Sequence, residues 1–272
     1  MNSKKIILAA ALLLAAAFGG RAQQLDSTRL APLDSLLGEY YEAMIYEPLP
    51  AKYKECDFLI SSCKDSLVRQ WVTTRIIEHY IGDPPLMGEE AVGIYVYDKW
   101  VASGKVTIAD DWIAFSAALF ADFNRGSLLG VKAQELMLLP PVGPDKVKVP
   151  QKGTLSVLYF FDTSCSKCKA SSILLPHVLE EAGVPLVFYA IYTGQDGDEW
   201  AEFRAGFTCP NDKVTIVHLW DPETDSDYPK KYGVLSTPKM FLVSPEGVIE
   251  GRRLEADALA QLLAIYETYS TK

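Results

Sequence analysis

Cys165-Ser166-Lys167-Cys168 directly follows an apolar run, Leu155-Ser156-Val157-Leu158-Tyr159-Phe160-Phe161, and a Thr237-Pro238 pair stands well downstream. A strand that delivers two cysteines to the start of a helix puts their sulfurs at i and i+3, one turn apart. There they can bond to each other, while the open N–H groups of the first turn stabilise the leading thiolate. In that arrangement Cys165 is the exposed nucleophile that attacks a disulfide. Cys168, one turn deeper, is the thiol that resolves the mixed disulfide. Lys167 and Lys169 add positive charge near the sulfurs, Ser166 lies between the pair, and Ser164 or Thr163 can cap the helix through a hydroxyl. Thr237 and Pro238 precede a second apolar run, Met240-Phe241-Leu242-Val243. They are expected to lie over the sulfurs as a cis-proline that keeps metals away, with the Thr237 backbone open to an extended substrate. The chemistry expected is thiol–disulfide exchange, with the Cys165–Cys168 pair itself as the redox group, no separate cofactor and no metal.

The elements that must position these residues alternate from Gly153 onward. Strands are expected over 155–161, 185–192 and 214–220, and helices over 165–182 and 198–207. A hairpin of 239–244 and 248–252 turns at Pro245-Glu246-Gly247, and a closing helix covers 257–269. Alternation followed by an antiparallel hairpin implies an α/β domain with a mixed central sheet and helices on both faces. Before it, residues 25–123 read as helical. Leu59, Cys63, Leu67 and Trp71 recur at fourfold spacing, as do Trp112, Phe115, Leu119 and Phe123, a stripe expected to pack on sister helices. Asp83-Pro84-Pro85 ends one helix, Asp110 or Asp111 caps another, and His79 reads as a helix-end residue. Composition shifts at Gly126-Ser127-Leu128-Leu129-Gly130, and a linker-like stretch follows at Pro140-Pro141-Val142-Gly143-Pro144. The expected division is residues 1–22, 23–125 and 126–272.

The first segment carries Lys4 and Lys5, an unbroken apolar stretch over residues 6–18, and Gly20-Arg21-Ala22 before Gln23. That is the pattern of a secretory signal peptide cleaved after Ala22, with an apolar part too short to span a bilayer. No cysteine follows it closely, so no lipid anchor is expected; the mature chain is expected to be soluble and periplasmic. Removing 1–22 takes away three basic residues and no acid, so the mature chain is more acidic than the full chain's net −9. That argues against nucleic acid and anionic membrane surfaces as partners. Of the five cysteines, Cys56 and Cys63 lie seven apart in what reads as one helix, beyond disulfide reach unless the helix breaks. They read as buried apolar thiols, and Cys209 in Thr208-Cys209-Pro210-Asn211 as a structural one.

From Gly126 onward the residues resemble the thioredoxin superfamily, and its secreted TlpA-like branch in particular. Gly130-Val131-Lys132-Ala133-Gln134-Glu135-Leu136-Met137-Leu138 is similar to that branch's opening segment, with Gln134 where proline is usual. Tyr232-Gly233-Val234-Leu235-Ser236-Thr237-Pro238, continuing to Gly247, is similar to its cis-proline strand and hairpin. The resemblance implies a thioredoxin-like domain and a thiol–disulfide oxidoreductase. The branch implies a reductant of disulfide-bearing proteins, re-reduced by a membrane or periplasmic thiol electron donor; Lys167 pushes slightly the other way. The front domain resembles an uncharacterised helical domain that precedes such modules. Three positions depart from the pattern: Ser164 replaces the usual tryptophan before the first cysteine, Tyr159 stands where thioredoxin has a buried Asp, and Pro176 comes later in the helix. With no acid at 159, the Cys168 proton must go to water, to Asp162 or to the tyrosine.

Three other readings stand beside this one. Copper-delivery proteins of the superfamily use two cysteines and a histidine; here the spacing is shorter and only His177 and His218 are at hand. Peroxidases keep a threonine three residues before the cysteine, whereas Thr163 is one position late. A protein-binding module with an incidental or regulatory redox pair is the third.

Overall fold

The computed structural model describes residues 27–82 and 86–270; the expected signal segment and the expected helix end at Asp83-Pro84-Pro85 lie outside them. The chain divides into two compact units, Met1–Ala121 and Asp122–Lys272.

The first unit is helical: α1 (Ser27–Met44), α2 (Leu49–Ser62), α3 (Ser66–Gly82), α4 (Glu90–Val96), a π-helical turn (Tyr97–Ala102) and α5 (Asp111–Asn124), which runs across the division. Its core gathers Leu37, Tyr40, Leu59, Ile60, Val72 and Ile76. The fourfold run Leu59, Cys63, Leu67 and Trp71 is not one helix. The chain breaks after Ser62 because Asp65 supplies a competing start: its Oδ1 accepts the N–H groups of Leu67 at 2.8 Å and Val68 at 3.1 Å. Cys63 is thereby the C-cap of α2, its thiol donating to the Leu59 carbonyl at 3.3 Å. Asp110 caps α5 through the Ile113 N–H at 2.9 Å. The face of α5 expected to be buried is instead open: Trp112 is 73% exposed and Phe115 57%, while Ala117 and Ala121 turn inward. Small residues allow the close side of the helix, so the aromatic stripe faces away from this unit's core.

The π-turn has a local cause. Asp57 accepts hydrogen bonds from Tyr95 (2.7 Å), Lys99 (2.6 Å) and the Trp100 indole (2.9 Å), pulling three side chains of one stretch onto a single carboxylate. Lys52, 2% exposed, pairs with buried Glu89 and donates to the Ile45 carbonyl at 3.0 Å.

The second unit holds a five-stranded sheet in the order β5-β4-β3-β6-β7: β3 (Ser156–Phe161), β4 (Leu186–Tyr192), β5 (Val214–Trp220), β6 (Lys239–Val243) and β7 (Ile249–Arg252). β3, β4 and β5 are parallel; β6 and β7 are antiparallel. The central strand β3 is buried at every residue, as a strand covered on both faces must be. Val157, Tyr159 and Phe161 face a core built with α6 (Ser166–Glu180), α7 (Gly197–Gly206) and α9 (Ala256–Ser270). Leu158 and Phe160 face the other core, closed by the short α8 (Tyr228–Tyr232) and by a hairpin of β1 (Leu136–Leu138) and β2 (Val147–Val149). The covering is therefore unequal, with the long helices on one side. The stretch 140–144, expected as a linker, is the turn of that hairpin; Leu136 and Leu138 are fully buried and anchor it.

Gln134 explains its departure from proline. Its side-chain amide donates to the carbonyls of Lys231 at 3.1 Å and Gly126 at 3.4 Å, and its own carbonyl accepts from the Tyr232 hydroxyl at 2.5 Å. Next to it, Gly130 donates to Ile249 and Ala133 to Gly247, laying this segment along β7, while Leu139 pairs with Trp220 of β5. Among the described residues no helix is long and apolar enough to cross a membrane.

Candidate active site

β3 ends at Phe161 and α6 begins at Ser166, and the short turn between them is organised by Asp162. Its carbonyl accepts the Cys165 N–H at 3.2 Å, and its Oδ1 accepts both the N–H (2.7 Å) and the hydroxyl (2.5 Å) of Ser164. Ser164 is thus committed to Asp162 and does not cap the helix. Thr163 does not cap it either: its hydroxyl bonds the Glu199 carboxylate and meets the Tyr192 hydroxyl at 3.1 Å. The cap is Cys165 itself. With φ −78° and ψ 119° it leaves the helical region, and its Sγ accepts the Cys168 N–H at 3.3 Å. The nucleophile candidate sits directly on the positive end of α6.

Thr237, distant in sequence, completes the arrangement. Its carbonyl accepts from the Cys165 thiol at 3.2 Å, and the Thr237–Pro238 peptide is cis. Both cysteines are free thiols. Cys165 is half-buried, whereas Cys168 is 1% exposed and packs in the helix-side core. Ser164, Ser166, Lys167 and Lys169 are exposed.

These positions separate the two thiols chemically. Burial alone raises the Cys165 thiol, but hydrogen bonds from the Cys168 side chain and N–H, from Thr237 and from the Lys167 N–H outweigh it and bring it below its ordinary value. Lys167 therefore acts on the sulfur through its backbone. Burial pushes Cys168 up to about 12, helped by the neighbouring Cys165 charge and opposed by the Asp162 N–H. Tyr159 lies beneath, stacked with Phe161, its hydroxyl donating to the Cys168 carbonyl at 3.4 Å. Burial raises its phenol well above the usual value.

Two clefts flank α6. One, of about 560 Å³, runs between α6 and α7 and has Asp162, Thr163, Cys168, Ile173, Glu199 and Phe203 in its wall. The other, of about 610 Å³, is bounded by Lys167, Leu174, Ser236, Thr237, Pro238 and Arg253. Glu199 carried no local sequence signal. Only its place in the first turn of α7, after the Asp196 cap, marked it as an outward acid. Cys209 is half-buried against the same core, and Cys56 and Cys63 are fully buried. Among the described residues no group of three or more His, Cys, Asp or Glu side chains is placed to hold a metal.

No protein-family model matches the sequence, and no curated protein matches it. Among solved structures, a thioredoxin-like protein from Bacteroides caccae superposes with a TM-score of 0.71 at 13% identity, covering 98% of this chain and 94% of that one. The fold is thioredoxin-like. The match takes in the helical region that precedes the sheet. The thioredoxin domain of a thiol-disulfide oxidoreductase from Bacteroides vulgatus aligns with 51% of this chain and 96% of its own, at 19% identity and a TM-score of 0.43. A thiol:disulfide interchange protein from Bacteroides sp. aligns with 53% and 92%, at 20% identity and a TM-score of 0.44.

Proposed function

We propose that this protein is a thiol–disulfide oxidoreductase in which Cys165 is the nucleophile and Cys168 the resolving thiol. One observation carries the reading: Cys165 Sγ caps α6, taking the Cys168 N–H at 3.3 Å, beside the Thr237 carbonyl at 3.2 Å. A lowered, half-buried thiol paired with a raised one in the core is the asymmetry that two-step exchange needs. The Cys165 thiolate attacks one sulfur of a substrate disulfide and forms a mixed disulfide, and the other substrate sulfur leaves with the electron pair. Cys168 then attacks Cys165, the internal disulfide closes, and the second substrate sulfur leaves reduced. The flanking Thr237 backbone and the clefts beside α6 suit an extended protein segment, so the substrates are disulfide-bearing proteins.

The working direction is reduction, with the Cys165–Cys168 disulfide returned to the dithiol by a membrane or periplasmic thiol donor. The site of action is the periplasm, a reading supported by the basic, apolar and small-residue pattern of residues 1–22. The test is the equilibrium reduction potential of the pair in the mature chain, by thiol trapping across dithiothreitol and glutathione buffers. A value near or below about −230 mV is expected; one near about −120 mV reverses the direction. Absence of a reversible couple overturns the oxidoreductase reading.

A further inference from the structure

Resting on that redox reading, we propose that the proton leaving Cys168 in the resolving step exits through the cleft between α6 and α7 to the carboxylates of Asp162 and Glu199. A neutral thiol is a poor nucleophile, so Cys168 must shed its proton as it attacks. Although only 1% exposed, it forms part of the wall of the 560 Å³ cleft, which has room for water. The charged groups in that wall are Asp162 from the turn, Lys169 from α6, and Glu199 and Glu202 from α7. Cys165 is the other sulfur of the pair, and Tyr192 of β4 reaches the same network through Thr163.

Two of the carboxylates are held in place. Asp162 is fixed by the N–H and hydroxyl of Ser164, and Glu199 by the hydroxyl of Thr163. On the other side of Cys168 stand the Thr237 side chain and Tyr159, and the carboxylates of the second cleft, Glu255 and Asp257, are in a wall that does not include Cys168. Tyr159 donates its proton to the Cys168 carbonyl, and burial keeps the phenol neutral, so it has no charge with which to accept another.

The Cys168 thiol gives its proton through cleft water to a carboxylate, and its sulfur electron pair forms the bond to Cys165. The bond from Cys165 to the substrate sulfur breaks, and that sulfur leaves as a thiolate and takes a proton from solvent. The dithiol is oxidised by two electrons and the substrate disulfide is reduced by two.

The experiment is a rapid-mixing single turnover of the reduced full chain with 5,5′-dithiobis(2-nitrobenzoate). The first release of coloured thiolate reports attack by Cys165, and the second reports resolution by Cys168. Asp162→Asn and Glu199→Gln preserve the oxygen acceptors that Ser164 and Thr163 need. At pH 7 the double variant is expected to keep the first release within a few-fold of the parent and slow the second about 100-fold, each single variant falling between. The gap should close toward about pH 11, where hydroxide takes the proton. An unchanged second release, or one slowed equally at every pH, overturns the route. So does a Tyr159→Phe variant that slows it as much as the double variant. If the parent chain shows neither release, the redox reading fails and this inference with it. A normal first release in every variant doubles as the control for folding.

Discussion

Cys56 and Cys63 in the helical unit and Cys165 and Cys168 in the sheet unit are the same functional group in two settings. The first two lie in and at the end of α2 and are fully buried, and burial pushes them up to about 12 and about 11. The latter two lie at the start of α6, where open N–H groups point at the first sulfur and a neighbouring carbonyl touches it. Spacing and helix end make the difference: a sulfur at a C-terminal turn meets carbonyl oxygens, as Cys63 does, while one at an N-terminal turn meets donors. Both units enclose polar groups, Lys52 with Glu89 in the helical one and Arg252 with Asn124 in the sheet one, but Cys168 lies in the wall of an open cleft.

The sharpest way to break this contrast is to exchange the thiols. Cys165→Ser should lower reduction of a small chromogenic disulfide by at least about 1,000-fold, while Cys56→Ala with Cys63→Ala should leave the rate within about twofold. A similar loss in both would mean that the helical thiols take part. Alkylation gives the next largest effect. At neutral pH iodoacetamide should label Cys165 at least about 100-fold faster than Cys56 or Cys63, read by peptide mass mapping, with a rate midpoint below about 8.5.

Stability tests sharpen the comparison from the other side. Lys52→Met strands buried Glu89 and should cost roughly 3–5 kcal/mol in urea unfolding. Lys146→Met removes an exposed pair with Asp225 and should be near neutral. The smallest effect is linkage. Cys56 and Cys63 have folded values above their unfolded ones, so the folded state holds more protons than the unfolded state once the pH passes about 8.5. The reduced protein should therefore lose stability as pH rises from there toward 11, and the Cys56→Ala, Cys63→Ala variant should lose less. An identical slope in both, followed by thermal melts across that range, would remove these thiols as the cause.

The parts of this molecule that could be read from sequence are those whose physics is local. The strand–CxxC–helix sequence and the Thr-Pro before a second apolar run fall within a few residues each, and the structure brings Cys165, Cys168 and Thr237 together from them. The helix break at Cys63 was less legible, because the apolar period continued through it while the Asp65 cap that ends it is a single polar residue. The hairpin turn at 140–144 looked like a linker because prolines serve both. The open side of α5 is not legible in the sequence, because periodicity locates an apolar stripe without naming its partner. Ser164 was a plausible cap until Asp162 claimed its hydroxyl, and Glu199 enters the site only through tertiary folding onto Thr163.

The segment stitched along β7 and the Leu139 bridge to β5 have a consequence for how anything can dock on this sheet. Each outer strand has its backbone engaged at one end on the side away from the sheet, Trp220 in β5 by Leu139 and Ile249 in β7 by Gly130 and Val131, so an added strand cannot pair along the whole length of either rim. Blocking one end of each rim shortens the edge on which a chain rich in buried apolar strands could stick to its own copies.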